Sequence, residues 1–153
     1  MTEIRLKHAD VAGLDAIASR LRASDREELD ALETGLDARQ AVESCVALSA
    51  WRRALWHGDI PLAVTGVVPC GDGTHAPWLV GTDDIGRFPL AFLRACRGIV
   101  RDVYRKHFAP LLNYVDARQE RSIRFLRSLG FRVEDAGPLG KRNYLFCKFT
   151  LES

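Results

Sequence analysis

The chain has 153 residues, 47% of them apolar, and 22 Lys and Arg against 20 Asp and Glu, for a formal net charge of +2. That composition excludes a disordered or collagen-like chain and is enough for one packed core, so a single domain over residues 1–153 is expected. The charge is too small to imply nucleic acid by itself, and no apolar run approaches the length of a membrane span.

Ile4 and Leu6 alternate with Glu3, Arg5 and Lys7, which predicts a half-buried strand and interrupts any secretory signal at the start. Asp10 is placed to cap a helix that turns Val11, Leu14, Ile17 and Leu21 inward. Ser24 and Glu27 read as a capping box for a short helix with Leu29 and Leu32, which Gly35 breaks. A third helical stretch is expected from Asp37 to about Ser49.

From Arg53 the period changes. Ala54, Leu55 and Trp56 lead to the turn pair Gly58-Asp59, and Pro61 to Val68 reads as the return strand. Cys70-Gly71-Asp72-Gly73 is a second turn, and Trp78, Leu79 and Val80 give the third strand of a meander. Thr82 to Phe88 then leads to Pro89, a residue suited to a first helical turn. The long helix after it carries an apolar stripe including Phe92, Cys96, Ile99, Val100 and Tyr104, and a basic stripe of Arg94, Arg97, Arg101 and Arg105.

Pro110 ends that helix. Leu111, Leu112, Tyr114 and Val115 form a run too short for a helix and are expected to be a buried strand. Asp116 and Gln119 fit a capping box for an amphipathic helix carrying Ile123, Phe125, Leu126 and Leu129. Gly130 stands where a left-handed C-cap is wanted, with Phe131 able to fold back. Gly137, Pro138 and Gly140 mark a turn, and Tyr144 to Leu151 a last strand.

Cys45, Cys70, Cys96 and Cys147 are scattered, without metal-ligand spacing, and are expected to be reduced and mostly buried. No metal site is expected. His57, His75 and Asp59 lie near the meander turns, where a surface or capping role competes with that of a general base. The arginine stripe has two readings: a solvated face, or a surface for an acidic partner or nucleic acid. Arg118, Arg121, Arg124 and Arg127 add to the basic total, but aromatic interleaving of the kind that stacks bases is absent.

The run Gln119 to Phe131, QERSIRFLRSLGF, resembles the last conserved block of the GNAT family of N-acetyltransferases, N-x-x-A-I-x-L-Y-x-K-x-G-F. The element order also matches that family across nearly the whole chain. The resemblance implies an α+β fold with a mixed, mostly antiparallel central sheet and helices on both faces. It also implies acetyl-CoA between two splayed central strands, with its pyrophosphate on amides at the start of the long helix. On that pattern Val80, Gly81, Thr82, Ile85, Gly86, Arg87 and Gln119 are the cofactor-binding candidates. Two departures oppose the chemistry. The family's phosphate motif, Q/R-x-x-G-x-G/A, meets Asp83 and Phe88 at the positions of its first and last residues. Leu126 stands where the family has the Tyr that protonates the departing thiolate, and no other catalytic residue is assigned.

The runs ESCVALS, PLAVTG and NYVDARQERSIRFLRSLGF, spread over Ala41 to Phe131, further resemble the GNAT-like internal virion proteins of short-tailed phages. That resemblance implies a phage or prophage protein of the virion or host cytoplasm. It would serve in assembly beside other phage structural proteins, without turnover or cofactor, and without nucleic acid as a specific partner. The alternatives are an acetyl-CoA-dependent N-acyltransferase with a divergent site, and a scaffold that binds coenzyme A or another anion without turnover.

Overall fold

The computed structural model describes residues 3–31, 35–139 and 144–152. The order of elements is β1 (Ile4–Lys7), α1 (Val11–Ala18), α2 (Ala23–Ala31), α3 (Ala38–Leu48), β2 (Trp51–His57), β3 (Ile60–Pro69) and β4 (His75–Gly81). A 3-10 turn (Asp83–Arg87) leads into α4 (Pro89–Ile99), which continues as a π-helical stretch (Val100–Phe108). β5 (Leu111–Asp116), α5 (Glu120–Ser128), β6 (Arg132–Leu139) and β7 (Tyr144–Leu151) complete it. The seven strands form one sheet in the order β1-β2-β3-β4-β5-β7-β6. This is the expected α+β architecture.

Each face of the sheet is sealed by the apolar stripe of its helices. Leu14, Ile17, Val42 and Val46 of α1 and α3 pack on Ala54, Val64 and Val80. On the other face, Phe92, Cys96 and Ile99 of α4 meet Leu55, Ala63 and Leu111, and α5 adds Phe125, Leu126 and Leu129. β3 lies between the two layers, so Leu62 to Val67 are buried without a break.

Several local signals work as read. Asp10 caps α1 through the Gly13 amide at 2.8 Å. α3 fills the expected interval, and Asp37 and Gln40 form a reciprocal capping box there. Gly130, at φ +100°, ends α5, and the Phe131 N–H turns back to the Leu126 carbonyl at 3.1 Å.

Four local signals resolve differently. α2 begins at Ala23, and the N–H groups of Asp25 and Arg26 go to the Arg22 carbonyl, so Ser24 lies inside the first turn and no Ser24–Glu27 box forms. Leu32 of that expected helix lies outside the described residues. Asp116 does not cap α5. It is the last residue of β5, fully buried, and its carboxylate accepts from the Arg118 amide at 2.9 Å and the Arg118 guanidinium at 2.6 Å. Gly137 and Pro138 belong to β6, paired with Phe146 and Leu145, because the β6–β7 ladder runs on past a bulge; Gly140 lies outside the described residues. Among the free cysteines, Cys96 and Cys147 are buried, but Cys70 is exposed on its turn.

Candidate functional site

β4 and β5 run parallel and pair at His75 and Leu111, where the His75 amide donates to the Pro110 carbonyl at 3.2 Å. The Asn113 side chain then reaches across to the Pro77 carbonyl at 2.7 Å. Beyond that bridge the strands part. The opening is a cleft of about 840 Å³ that reaches helices on both faces of the sheet, α2 and α3 on one side and α4 and α5 on the other.

The β3–β4 register decides which backbone groups face this cleft. The Thr82 N–H donates to the Leu62 carbonyl at 2.9 Å, so Thr82, Val80 and Trp78 direct their amides toward β3. Leu79 and Gly81 alternate with them and point to the open edge. At Gly81 that edge is taken: its N–H donates to Asp25 at 2.8 Å, and its carbonyl accepts from the Arg22 amide at 2.8 Å. Asp25 is 6% exposed and is also gripped by the Arg22 guanidinium at 2.9 and 3.2 Å. The Leu79 N–H is left directed into the cleft.

One end of the cleft is the start of α4. The helix ladder begins with the Phe92 amide on the Phe88 carbonyl, which leaves the N–H groups of Leu90 and Ala91 without a partner inside the helix. Gly86 lines the cleft there, and a Cβ on it would meet nothing within 4 Å. Phe88 does not fill this space; its ring stacks on His57 at 3.7 Å, away from the cleft. Asp84 is turned aside toward Arg20, at 2.7 Å, and Arg87, at 3.4 Å. Asp83 does line the cleft and is exposed.

The candidates read from sequence are therefore distributed unevenly. Val80, Ile85, Gly86 and Gln119 line the cleft. Gly81 faces it through an amide already held by Asp25. Thr82 is fully buried, its hydroxyl on the Pro61 carbonyl at 3.2 Å, and Arg87 lies over the Phe88 ring. Gln119 also ties the start of α5 to α2, donating to Glu27 at 3.1 Å. The sequence reading missed Arg22, Asp25 and Leu79. A carboxylate in a helical first turn carries no local sign that it reaches a strand 56 residues away.

The cleft thiols are poor nucleophiles. Burial pushes the Cys96 thiol up to about 12, and burial also raises Cys45. Leu126 is half-buried and presents hydrocarbon to the cleft. Tyr104 also lines it, but its hydroxyl lies 3.1 Å from the Thr65 hydroxyl, which donates to the Trp78 carbonyl at 2.6 Å. Burial raises the Tyr104 phenol, so it stays protonated at neutral pH. His57 and His75 do not line the cleft; His75 packs edge-on against Phe108. Among the described residues no group of three or more His, Cys, Asp or Glu is arranged to hold a metal ion, and no helix is long and apolar enough to cross a membrane.

Comparison with solved structures gives the same architecture. An acetyltransferase from Bacillus subtilis in complex with CoA superimposes with a TM-score of 0.67 at 9% identity, covering 100% of this chain and 99% of that one. The ribosomal-protein-S18-alanine N-acetyltransferase from Escherichia coli gives 0.65 at 16% identity, covering 99% and 93%. A Salmonella typhimurium protein solved with its cofactor acetyl-CoA gives 0.63 at 17% identity, covering 99% and 94%. No family model matches the chain, and no curated protein matches it. The fold is that of the GNAT acetyltransferases.

Proposed function

We propose that the β4–β5 cleft binds acetyl-CoA and that the chain is an N-acyltransferase in which an amine attacks the thioester directly. The observation that carries this reading is the open cleft of about 840 Å³ running to the start of α4. Its fit to the ligand rests on the bare Cα of Gly86, the unpartnered amides of Leu90 and Ala91, and the displaced ring of Phe88. Asp83 opposes an anion there and weakens the site without closing it.

When bound, acetyl-CoA supplies an activated acyl carbonyl. The Leu79 N–H, directed into the gap, is the backbone donor available to an acyl oxygen. Cys45 and Cys96 remain thiols at neutral pH, so neither serves as a relay nucleophile. Leu126 has no proton to donate, which leaves the departing sulfur without the assistance of that helix position. Slow turnover follows from that lack.

Isothermal calorimetry with acetyl-CoA and CoA, followed by thiol-release assays against a panel of primary amines, tests this. Heat at micromolar to millimolar ligand together with acceptor-dependent thiol release is expected. No heat at millimolar ligand overturns it.

A second reading is favoured by Leu126 and by the Asp25 grip on the Gly81 amide. In it the scaffold is kept without turnover in a phage or prophage particle, in the virion or host cytoplasm, against other phage structural proteins. The virion-like runs between Ala41 and Phe131 support it. Co-sedimentation with assembled particles, with no thiol release, is its expected result. Robust acyl transfer by protein found free of particles overturns it.

A further inference from the structure

The formal charge of +2 conceals a division of the molecule. Residues 89–132, which run from α4 through its π-helical extension, β5 and α5 to the first residue of β6, carry ten Arg and Lys against three Asp and Glu. The rest of the chain carries twelve against seventeen. α4 with its extension and α5 cover the same face of the sheet and carry eight of these ten against Asp102 and Glu120, so a surplus of six positive charges is gathered on one side.

The helices meet through these arginines. Arg97 donates to the Ser128 carbonyl at 3.4 Å, and the Arg105 guanidinium lies 3.1 Å from where a Cβ on Gly130 would stand. Both complement the negative end of α5. Arg94, Arg101, Arg124 and Arg127 are exposed around them. On this outer surface, among the described residues, the recorded ion pairs are those of Asp102 with Arg101 at 2.9 Å and Lys106 at 4.0 Å. The stripe runs from Arg94 to Arg105 along α4 and its π-helical extension.

We infer that this face is a docking surface for double-stranded DNA, held through its phosphates without reading sequence. Seven of the eight cations on these helices are arginine, whose planar fork suits phosphate oxygens. The apolar stripes of α4 and α5 pack into the core, and Leu90, 68% exposed at the start of α4, is too little by itself to anchor a lipid surface. Phe92 and Tyr104 are buried and Phe108 and Phe125 pack against the core, so these helices offer no open aromatic platform of the kind single strands need. The major groove of B-form DNA, about 12 Å wide, admits the ridge of a helix, whereas the narrow groove of duplex RNA does not. The surface is independent of whether the cleft binds acetyl-CoA.

Fluorescence anisotropy with a labelled 20-base-pair DNA tests it. Binding at 50 mM salt is expected to weaken about 150- to 2,000-fold by 200 mM, as neutralisation of four to six phosphates requires. The variant R94Q/R101Q/R124Q/R127Q, which spares Arg97 and Arg105, is expected to lose at least tenfold in affinity and to flatten the salt dependence. R52Q/R53Q, on β2, is expected to bind like the parent. Should the quadruple variant fail to fold, Arg94→Gln and Arg127→Gln singly are each expected to lose two- to fivefold. No binding at 50 mM salt overturns the inference, as does parent-like binding by the variants of Arg94, Arg101, Arg124 and Arg127. Tighter binding to single-stranded DNA, to duplex RNA or to phosphatidylserine vesicles overturns it as well.

Discussion

The Asp25 carboxylate accepts a 2.8 Å hydrogen bond from the amide of Gly81, and so α2 is latched to the end of β4 at the mouth of the cleft. The same carboxylate neutralises Arg22, whose own amide bonds the Gly81 carbonyl. Asp25→Ala leaves the Gly81 N–H and the Arg22 guanidinium unpaired together. A loss of about 2–4 kcal/mol in urea denaturation is expected. Asp25→Asn keeps an acceptor for Gly81 and is expected to lose less.

Gly81 itself has no room for a side chain. A Cβ there would stand 2.4 Å from the end of Ile85 and 2.9 Å from the Leu62 carbonyl. Gly81→Ala is expected to destabilise by about 1–3 kcal/mol, because the Leu62 backbone cannot move aside without disturbing β3. A thermal melt of the variant checks this.

The start of α4 should respond to charge. Gly86→Glu places a carboxylate where space is open, and is expected to weaken acetyl-CoA at least tenfold with little change in melting temperature. Asp83→Asn removes the carboxylate that lines the cleft and is expected to tighten binding about fivefold. Calorimetry on both variants measures the pair of opposite shifts.

Leu126→Tyr returns a proton donor to the cleft. A rise in kcat of about tenfold or more is expected, because general-acid assistance is worth roughly 10²- to 10⁴-fold where geometry is good. The increase should be larger in kcat than in KM. An unchanged kcat in a folded variant would mean that the departing sulfur does not lie near this helix position.

Asp116 ties acid stability to the end of β5. Burial works to raise its carboxyl, but the hydrogen bonds and charge of Arg118 outweigh that and hold it below the usual carboxylate range. A carboxyl lowered in the folded state contributes stability above its unfolded value, near 3.9, and loses it as pH falls through the folded value. Stability of the parent should therefore fall more steeply below about pH 4 than that of Asp116→Asn, which starts lower at neutral pH. Denaturation at stepped pH compares the two slopes.

The element order was legible from residues alone, because caps, turn pairs and apolar period are short-range properties. Asp10, the Gly58-Asp59 turn, Pro89 and Gly130 each act within a few residues of where they stand. The acidic residues at the start of α4, the ring of Phe88 and the arginines of two helices were visible too, but only as residue types. Their directions depend on partners far along the chain: Asp84 turns to Arg20, Phe88 to His57, and Arg97 to Ser128. The cleft is likewise a relation between β4 and β5, set by where the parallel ladder stops after His75 and Leu111. Periodicity is a property of one segment, whereas an open gap and a gathered charge are properties of how segments face each other, and so only packing decides them.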